Sequence, residues 1–268
     1  ELACLHRKTL GIPVIGITGT NGKTTTKELV ASVLSTKFNA LYTSGNLNNQ
    51  IGVPLTLLRL TSEHEIAVIE MGANHPGEIR ELSGIAQPDY GIITNVGYAH
   101  LEGFGSFEGV VKTKGELYDF LRKTNGTVFI HSENEYLKTM AEGINRITYG
   151  DKDNDFVSGE IIECNPFLHF KWKYQDKTHV VLTHLVGSYN LSNLLAAIAV
   201  GIHFEIPPEI INGAISSYKP DNNRSQLKQT TRNQLIIDTY NANPSSMKVA
   251  LDNFSLLNAR DKMVILGD

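Results

Sequence analysis

The stretch PVIGITGTNGKTTTKE, residues 13–28, is an apolar run of strand length that passes through Gly19 and Gly22 and opens into a helix-period segment. The order strand, glycine loop, helix gathers backbone N–H groups and a helix N-terminus at one point, which is how a chain cradles phosphate. The loop is tighter than the common P-loop pattern, which has a glycine five positions before its Gly-Lys pair. Ile17 stands there, and Gly19-Thr20-Asn21-Gly22-Lys23-Thr24 makes the turn. An ordinary glycine turn ahead of a helix is the alternative. The phosphate reading assigns nucleotide contacts to Gly19, Thr20, Asn21, Gly22, Lys23, Thr24 and Thr25, with the Thr24 hydroxyl also a magnesium ligand.

From Ile12 to Gly150 short apolar runs alternate with helix-period segments, the pattern of a parallel sheet covered by helices. Strands are expected at 13–18, 40–44, 65–71, 89–96, 127–132 and 146–150, and helices near 23–37, 52–60, 76–86, 106–122 and 134–142. Pro54 and Pro76 suit first helical turns. Between Asp155 and Leu185 the texture changes to strand-period alternation, predicting an antiparallel patch on the same domain. Two helices follow, the alanine- and leucine-rich NLSNLLAAIAVGIHF, which should be buried, and PPEIINGAISSY. The turn-forming DNNRSQ after Pro220 marks a boundary, so the α/β domain is expected over 1–220 and a second unit over 221–268. That second unit reads strand, loop, helix, strand. Two parallel strands and one helix cannot bury both faces of a sheet, so it is expected as the opening of a larger domain, cut short.

Composition excludes several functions. A formal net charge of -4 gives no general attraction to nucleic acid. No run approaches the ~20 apolar residues of a membrane span, and the N-terminus lacks a signal-like apolar segment, so a cytoplasmic chain is expected. Cys4 and Cys164 sit in unrelated contexts, suggesting reduced thiols rather than a disulfide or zinc site.

Chemistry is expected at the C-terminal ends of the strands, where ligands of parallel sheets gather. EIAVIEMG puts Glu70 at one such end; a carboxylate there is solvated, satisfied or, beside a phosphate loop, a metal ligand. DYGIITNVGYAHLEGFGS puts Asn95 and His100 at the next, and His100 suits metal ligation, acid-base work or phosphate contact. Lys112 and Lys114 in VVKTKGELY read, by composition alone, as a solvated helix face.

The ordered set GTNGKTTTKE, GNLNNQIGVPLTLL, EMGANHPGEI, NVGYAHLEGFGS, KTKGEL, YNLSNLLAA, NNRSQ and IDTYNANPSS resembles the Mur ligase family from about Pro13 to Asp268. GTNGKTT is shared with folylpolyglutamate synthases, whereas EMGANHPGEI and AHLEGFGS point to members that add D-alanyl-D-alanine to UDP-N-acetylmuramoyl-tripeptide. The resemblance implies a P-loop central domain followed by the first part of a Rossmann-like C-terminal domain, with the family's N-terminal uridine-nucleotide domain absent. It implies ATP, two Mg2+ ions, and Lys114 carbamylated by carbon dioxide so that it ligates or orients the second ion. Thr24, Glu70 and His100 would hold metal, with Lys23, His100 and Lys114 catalytic. Asn190 and Asn193 match residues that contact adenine and ribose, though Asn190 also suits a helix cap. Arg224 and Asp238 match residues that reach the nucleotide from the boundary, although Asn223 stands where the family usually has glycine. Asn46, Asn49 and Gln50, with Tyr240, Asn241 and Asn243, match substrate-side loops. A monomer is expected.

The implied reaction is amide-bond formation through an acyl phosphate. Another ligase of the same family, or nucleotide binding without turnover in this length of chain, are the neighbouring readings. A GTPase switch would need a base-reading motif such as NKxD, which the sequence lacks.

Overall fold

A computed structural model describes the chain except residues 99, 100, 222, 241 and 268. Its centre is β1 (Val14–Thr18), buried along its whole length and paired in parallel with β3 (Ile66–Glu70) on one side and β4 (Tyr90–Ile93) on the other. Outside β3 lies β2 (Ala40–Tyr42); outside β4 follow β5 (Thr127–His131), β6 (Asn145–Gly150) and β7 (Val157–Cys164), all parallel. Then β8 (Phe167–Tyr174) and β9 (Lys177–Val186) continue the same sheet antiparallel, as the strand-period alternation there requires. The register aligns Ile17 with Glu70 and Thr18 with Ile93, so the ends of β1, β3 and β4 share one edge.

Alternate side chains of the sheet enter two cores. One holds Ile15 and Ile17 against α2 (Lys23–Leu34), α8 (Leu191–His203) and α9 (Pro208–Ser217), reaching Phe170 and Trp172 on β8. The other holds Val14 and Ile69 against α3 (Gly52–Leu57), α4 (Glu78–Ala86) and α6 (Phe107–Thr124). Short helices α5 (Leu101–Phe104) and α7 (Glu135–Met140) flank α6.

The sequence pattern did not anticipate α1 (Leu2–Leu10), which ends at Gly11 in the left-handed conformation (φ 65°) with Arg7 and Lys8 in its last turn. Arg7 anchors it, donating from Nε to Ala86 O (3.1 Å) and from a terminal nitrogen to Asp89 Oδ2 (2.6 Å). Pro54 is in the first turn of α3, but Pro76 lies in the turn before α4, whose N-cap is Gly77.

After Pro220 the chain forms an antiparallel hairpin, β10 (Gln226–Gln229) with β11 (Gln234–Ile237), then α10 (Pro244–Leu256). The expected last strand is not formed: residues 262–267 take no regular structure. An apolar run becomes a strand only where a neighbouring edge satisfies its backbone, and β11 takes its partner from the hairpin.

Trp172 is fully buried and donates from Nε1 to Asn212 Oδ1 at 2.8 Å, fastening β8 to α9. Trp172→Ala removes a large side chain and orphans that amide. It should cost about 3–5 kcal/mol, read as a lowered urea midpoint at unchanged m-value.

Candidate active site

Gly19 has no room for a side chain: a Cβ there would lie 2.0 Å from Thr94 Oγ1 and 3.0 Å from Thr94 N. The loop after β1 is therefore drawn against the end of β4. Asn95 meets both backbone groups of Asn21, accepting from its N–H at Oδ1 (3.0 Å) and donating from Nδ2 to its carbonyl (3.0 Å), while Thr94 Oγ1 donates to the same carbonyl (2.6 Å). Thr20 N donates to Asn95 O, and Gly97 N to Thr20 Oγ1, both at 3.0 Å. With the loop held by neutral bonds from β4, Gly22 (φ 79°) caps α2, aiming the helix N-terminus into the loop; Lys23, Thr24 and Thr25 form its first turn.

Lys23 Nζ donates to Gly19 O (2.8 Å) and Thr20 O (3.0 Å). Burial lowers its pKa, Glu70 opposes that, and Arg224 lowers it further, so the guanidinium charge acts on the loop. Glu70 is 1% exposed at the end of β3. Its Oε1 accepts from Thr24 Oγ1 (3.2 Å) and Asn48 Nδ2 (2.8 Å), whereas Oε2 has no hydrogen-bond partner among the described residues. Thr24 and Glu70, distant in sequence, are thus in direct contact.

Lys114 points into the same place. A cavity of about 20 Å3 is lined by Gly19, Thr20, Lys23, Ala73, Phe104, Val110 and Lys114. Burial first, then repulsion by Lys23, lower the Lys114 pKa to about 7 against the pull of Glu78 and Glu116. Glu116 is committed to the N-terminus of α4, accepting from Gly77 N (3.0 Å) and Arg80 N (2.9 Å). Lys112, two residues away, lines a separate groove of about 360 Å3 between α6 and α7 with Phe107, Tyr136 and Met140.

The other expected positions divide. Asn193 Oδ1 accepts from Thr26 Oγ1 (3.1 Å), its Nδ2 donates to Asn190 Oδ1 (3.0 Å), and Asn190 Nδ2 donates to Val186 O (3.0 Å). This buried chain of amides fastens α2 to α8; Asn190 occupies the cap position of α8 without a side-chain cap bond. The Arg224 guanidinium stacks 3.7 Å above the Tyr240 ring, its Nε without a partner among the described residues. Asp238 has a raised pKa, chiefly from burial, with Ser225 N–H and Arg224 working against it. Asn243 caps α10 and donates to Asn21 Oδ1 (2.8 Å); Asn21 Nδ2 donates to Ser245 Oγ (3.0 Å), joining the loop directly to α10. Asn46 is exposed, Asn49 Oδ1 accepts from Ile51 N and Gly52 N at the start of α3, and Gln50 bonds to Glu78. Asn49 is thus occupied by a local turn. His100 and Asn241 lie outside the described residues. Asn48 and Thr26 were not singled out in the sequence; for Asn48 the available signal was the amide-rich GNLNNQ directly after β2.

Among the described residues no group of three or more His, Cys, Asp or Glu side chains gathers as a metal site, and no helix is long and apolar enough to cross a membrane. Lys23 acts on Lys114 and Arg224 on Lys23, opposed by the buried carboxylates of Glu70 and Glu116, an arrangement suited to a polyanion.

A glycine loop between a central parallel strand and a helix, with a buried carboxylate at the adjacent strand end, is the arrangement of phosphate-loop α/β proteins. The chain belongs to the Mur ligase family: the model of the Mur ligase middle domain matches residues 17–201. It is 39% identical over 271 residues to UDP-N-acetylmuramoyl-tripeptide--D-alanyl-D-alanine ligase of Bacillus subtilis, covering 100% of this chain and 58% of that protein. Crystal structure I of MurF from Acinetobacter baumannii superposes with a TM-score of 0.88 at 33% identity, over 96% of this chain and 57% of that one. MurF ligase from Thermotoga maritima in complex with ADP superposes with a TM-score of 0.84 at 29% identity, over 95% and 60%. The chain thus spans less than two thirds of the length of these relatives.

Because Lys114 carries a folded pKa of about 7, below the ordinary lysine value of 10.5, the unfolded chain binds more protons between those values. Its contribution is most unfavourable below pH 7 and is relieved as pH rises through that window. Lys114→Met should raise the thermal midpoint more at pH 6 than at pH 9; a gain that does not shrink with pH would contradict the assigned titration.

Proposed function

We propose that the chain carries the ATP-binding centre of an amide-bond ligase that joins D-alanyl-D-alanine to UDP-N-acetylmuramoyl-tripeptide in peptidoglycan precursor synthesis, in the cytoplasm. Residues 1–220 form the ATP-binding domain, and 221–268 begin a second domain that contributes Arg224 and Asp238. The observation that carries the reading is the cavity shared by Lys23 and Lys114, with Lys23 directly preceding the Thr24 that bonds to Glu70. The resemblance to D-alanyl-D-alanine ligases along the whole chain supplies the substrate class.

In this reading the loop N–H groups, the N-terminus of α2 and Lys23 hold the phosphates, with Lys23 exchanging its carbonyl partners for phosphate oxygens. A carboxylate oxygen of the tripeptide attacks the γ-phosphorus, ADP departs, and an acyl phosphate forms. The free amine of D-alanyl-D-alanine then attacks the acyl carbon, inorganic phosphate leaves, and the nitrogen loses a proton as the amide forms. The nucleotide thereby supplies the leaving group that a carboxylate lacks.

The residues present fit magnesium. Glu70 offers a buried Oε2 with no partner among the described residues, and its Oε1 meets the Thr24 hydroxyl, an all-oxygen donor set for a hard cation. His100 and Lys114 would serve a second ion. Bound magnesium neutralises charge on the phosphate oxygens. An ammonium at Lys114 would oppose a cation; the lowered pKa leaves its amine free to attack carbon dioxide, forming a carbamate with loss of a proton. Asn46, Gln50, Tyr240, Asn241 and Asn243 remain substrate-side positions in this scheme.

Lys23→Ala should abolish ATP-magnesium binding by calorimetry, and unchanged affinity would remove the phosphate-loop assignment. In a version extended to its relatives' length, Lys114→Ala should eliminate ligation and recover partly with added short carboxylic acids. Absence of rescue, with no carbamate signal from Lys114 in carbon-13 NMR under labelled carbon dioxide, would discard the carbamate.

A further inference from the structure

The loop between β2 and α3 touches the end of β3 through side chain and backbone. Thr43 Oγ1 accepts from Glu70 N (2.9 Å), Gly72 N donates to Asn48 O (2.7 Å), and Asn48 Nδ2 donates to Glu70 Oε1 (2.8 Å). The loop is also wedged from behind, since a Cβ on Gly52 would lie 2.4 Å from the Leu47 carbonyl carbon. Asn48 is therefore carried on a backbone that has little freedom.

Its donor goes to the oxygen that already accepts from Thr24, while the other oxygen of the same buried carboxylate accepts nothing among the described residues. The terminal torsion of a glutamate is broad and nearly two-fold, so an isolated carboxylate would rotate and spread its acceptors over whatever donors it finds. Two donors on one oxygen break that symmetry. They hold the carboxylate with Oε2 presented and bare, an arrangement that is costly in a buried site unless a cation completes it. Thr24 belongs to the phosphate-binding helix and has its own work there; Asn48 comes from a separate loop.

We propose that Asn48 is a positioning residue for the metal-binding carboxylate: by holding Oε1 it orients Oε2 of Glu70 toward a divalent cation. The inference rests on the reading of Glu70 as a metal ligand and goes beyond it by naming what aims that ligand. Partners one step behind a ligand typically change metal affinity by 10–100-fold when removed. The bland alternative is that Asn48 only fastens its loop. In that case its loss would lower stability and leave metal affinity alone.

Free Mn2+ measured by electron paramagnetic resonance in the presence of ADP tests this, using wild type, Asn48→Ala, the near-isosteric Asn48→Leu, Glu70→Gln and Gly72→Ala. Metal-free ADP affinity and thermal midpoint are measured in parallel. Both Asn48 variants should weaken Mn2+ by about 10-fold or more with metal-free ADP affinity within two-fold of wild type. Gly72→Ala keeps the amide but puts a Cβ 2.9 Å from Asn48 Oδ1, and should weaken Mn2+ to a lesser degree. If Glu70→Gln weakens Mn2+ but folded Asn48 variants do not, the inference is overturned and the metal-ligand reading stands. If Glu70→Gln has no effect either, both are overturned. Should the Asn48 variants fail to fold, Gly72→Ala decides: unchanged Mn2+ affinity in that variant overturns the proposal.

Discussion

The close approach of the loop after β1 to the end of β4 is the constraint on which the rest depends. Glycine at position 19 lets two backbones meet where a methyl group would collide with Thr94. Parallel pairing of β1 with β3 and β4 puts Glu70 and Thr94 on either side of that loop. Lys23 and Thr24 then emerge into a space whose walls are already set, and α6 closes it with Lys114. The geometry of the candidate site is thus a by-product of strand order, supported by neutral hydrogen bonds that would not compete with an anionic ligand for charge.

Electrostatics complete the arrangement. Lys23 is disfavoured as a cation by burial and by Arg224, and Lys114 by burial and by Lys23. A polyanion would relieve both lysines together. The buried Glu70 carboxylate answers part of the charge but has one oxygen without a partner among the described residues. Strain of this kind, kept in place by an otherwise well-packed sheet, marks a site that gains most when its ligands arrive.

Much of this was legible in the chain. Apolar runs located six of the seven strands paired in parallel among the described residues, the seventh, β7, reading in sequence with the antiparallel patch, and the Gly-Lys-Thr turn stood out by residue type. Glu70 was legible as a charge where an apolar strand has no place for one. Contacts set by tertiary packing were not. Helix α1 depends on Arg7 reaching Ala86 and Asp89, far along the chain. Asn190 and Asn193 look like free ligand contacts in sequence, yet their amides are largely taken up by the bond between α2 and α8. Asn48 is indistinguishable in sequence from its exposed neighbour Asn46. The apolar residues 263–266 have the composition of a strand without an edge to pair with, so local pattern overstated them.

The seam between the phosphate loop and α10 has a character of its own. Asn21, Asn243 and Ser245 meet through amides and a hydroxyl, all uncharged and all exchangeable with water at small net loss. Such a clasp has little sensitivity to ionic strength and holds no apolar surface hostage, so it can part and re-form without disturbing either core. Any swing of the hairpin and α10 would therefore be felt first at the glycine loop after β1.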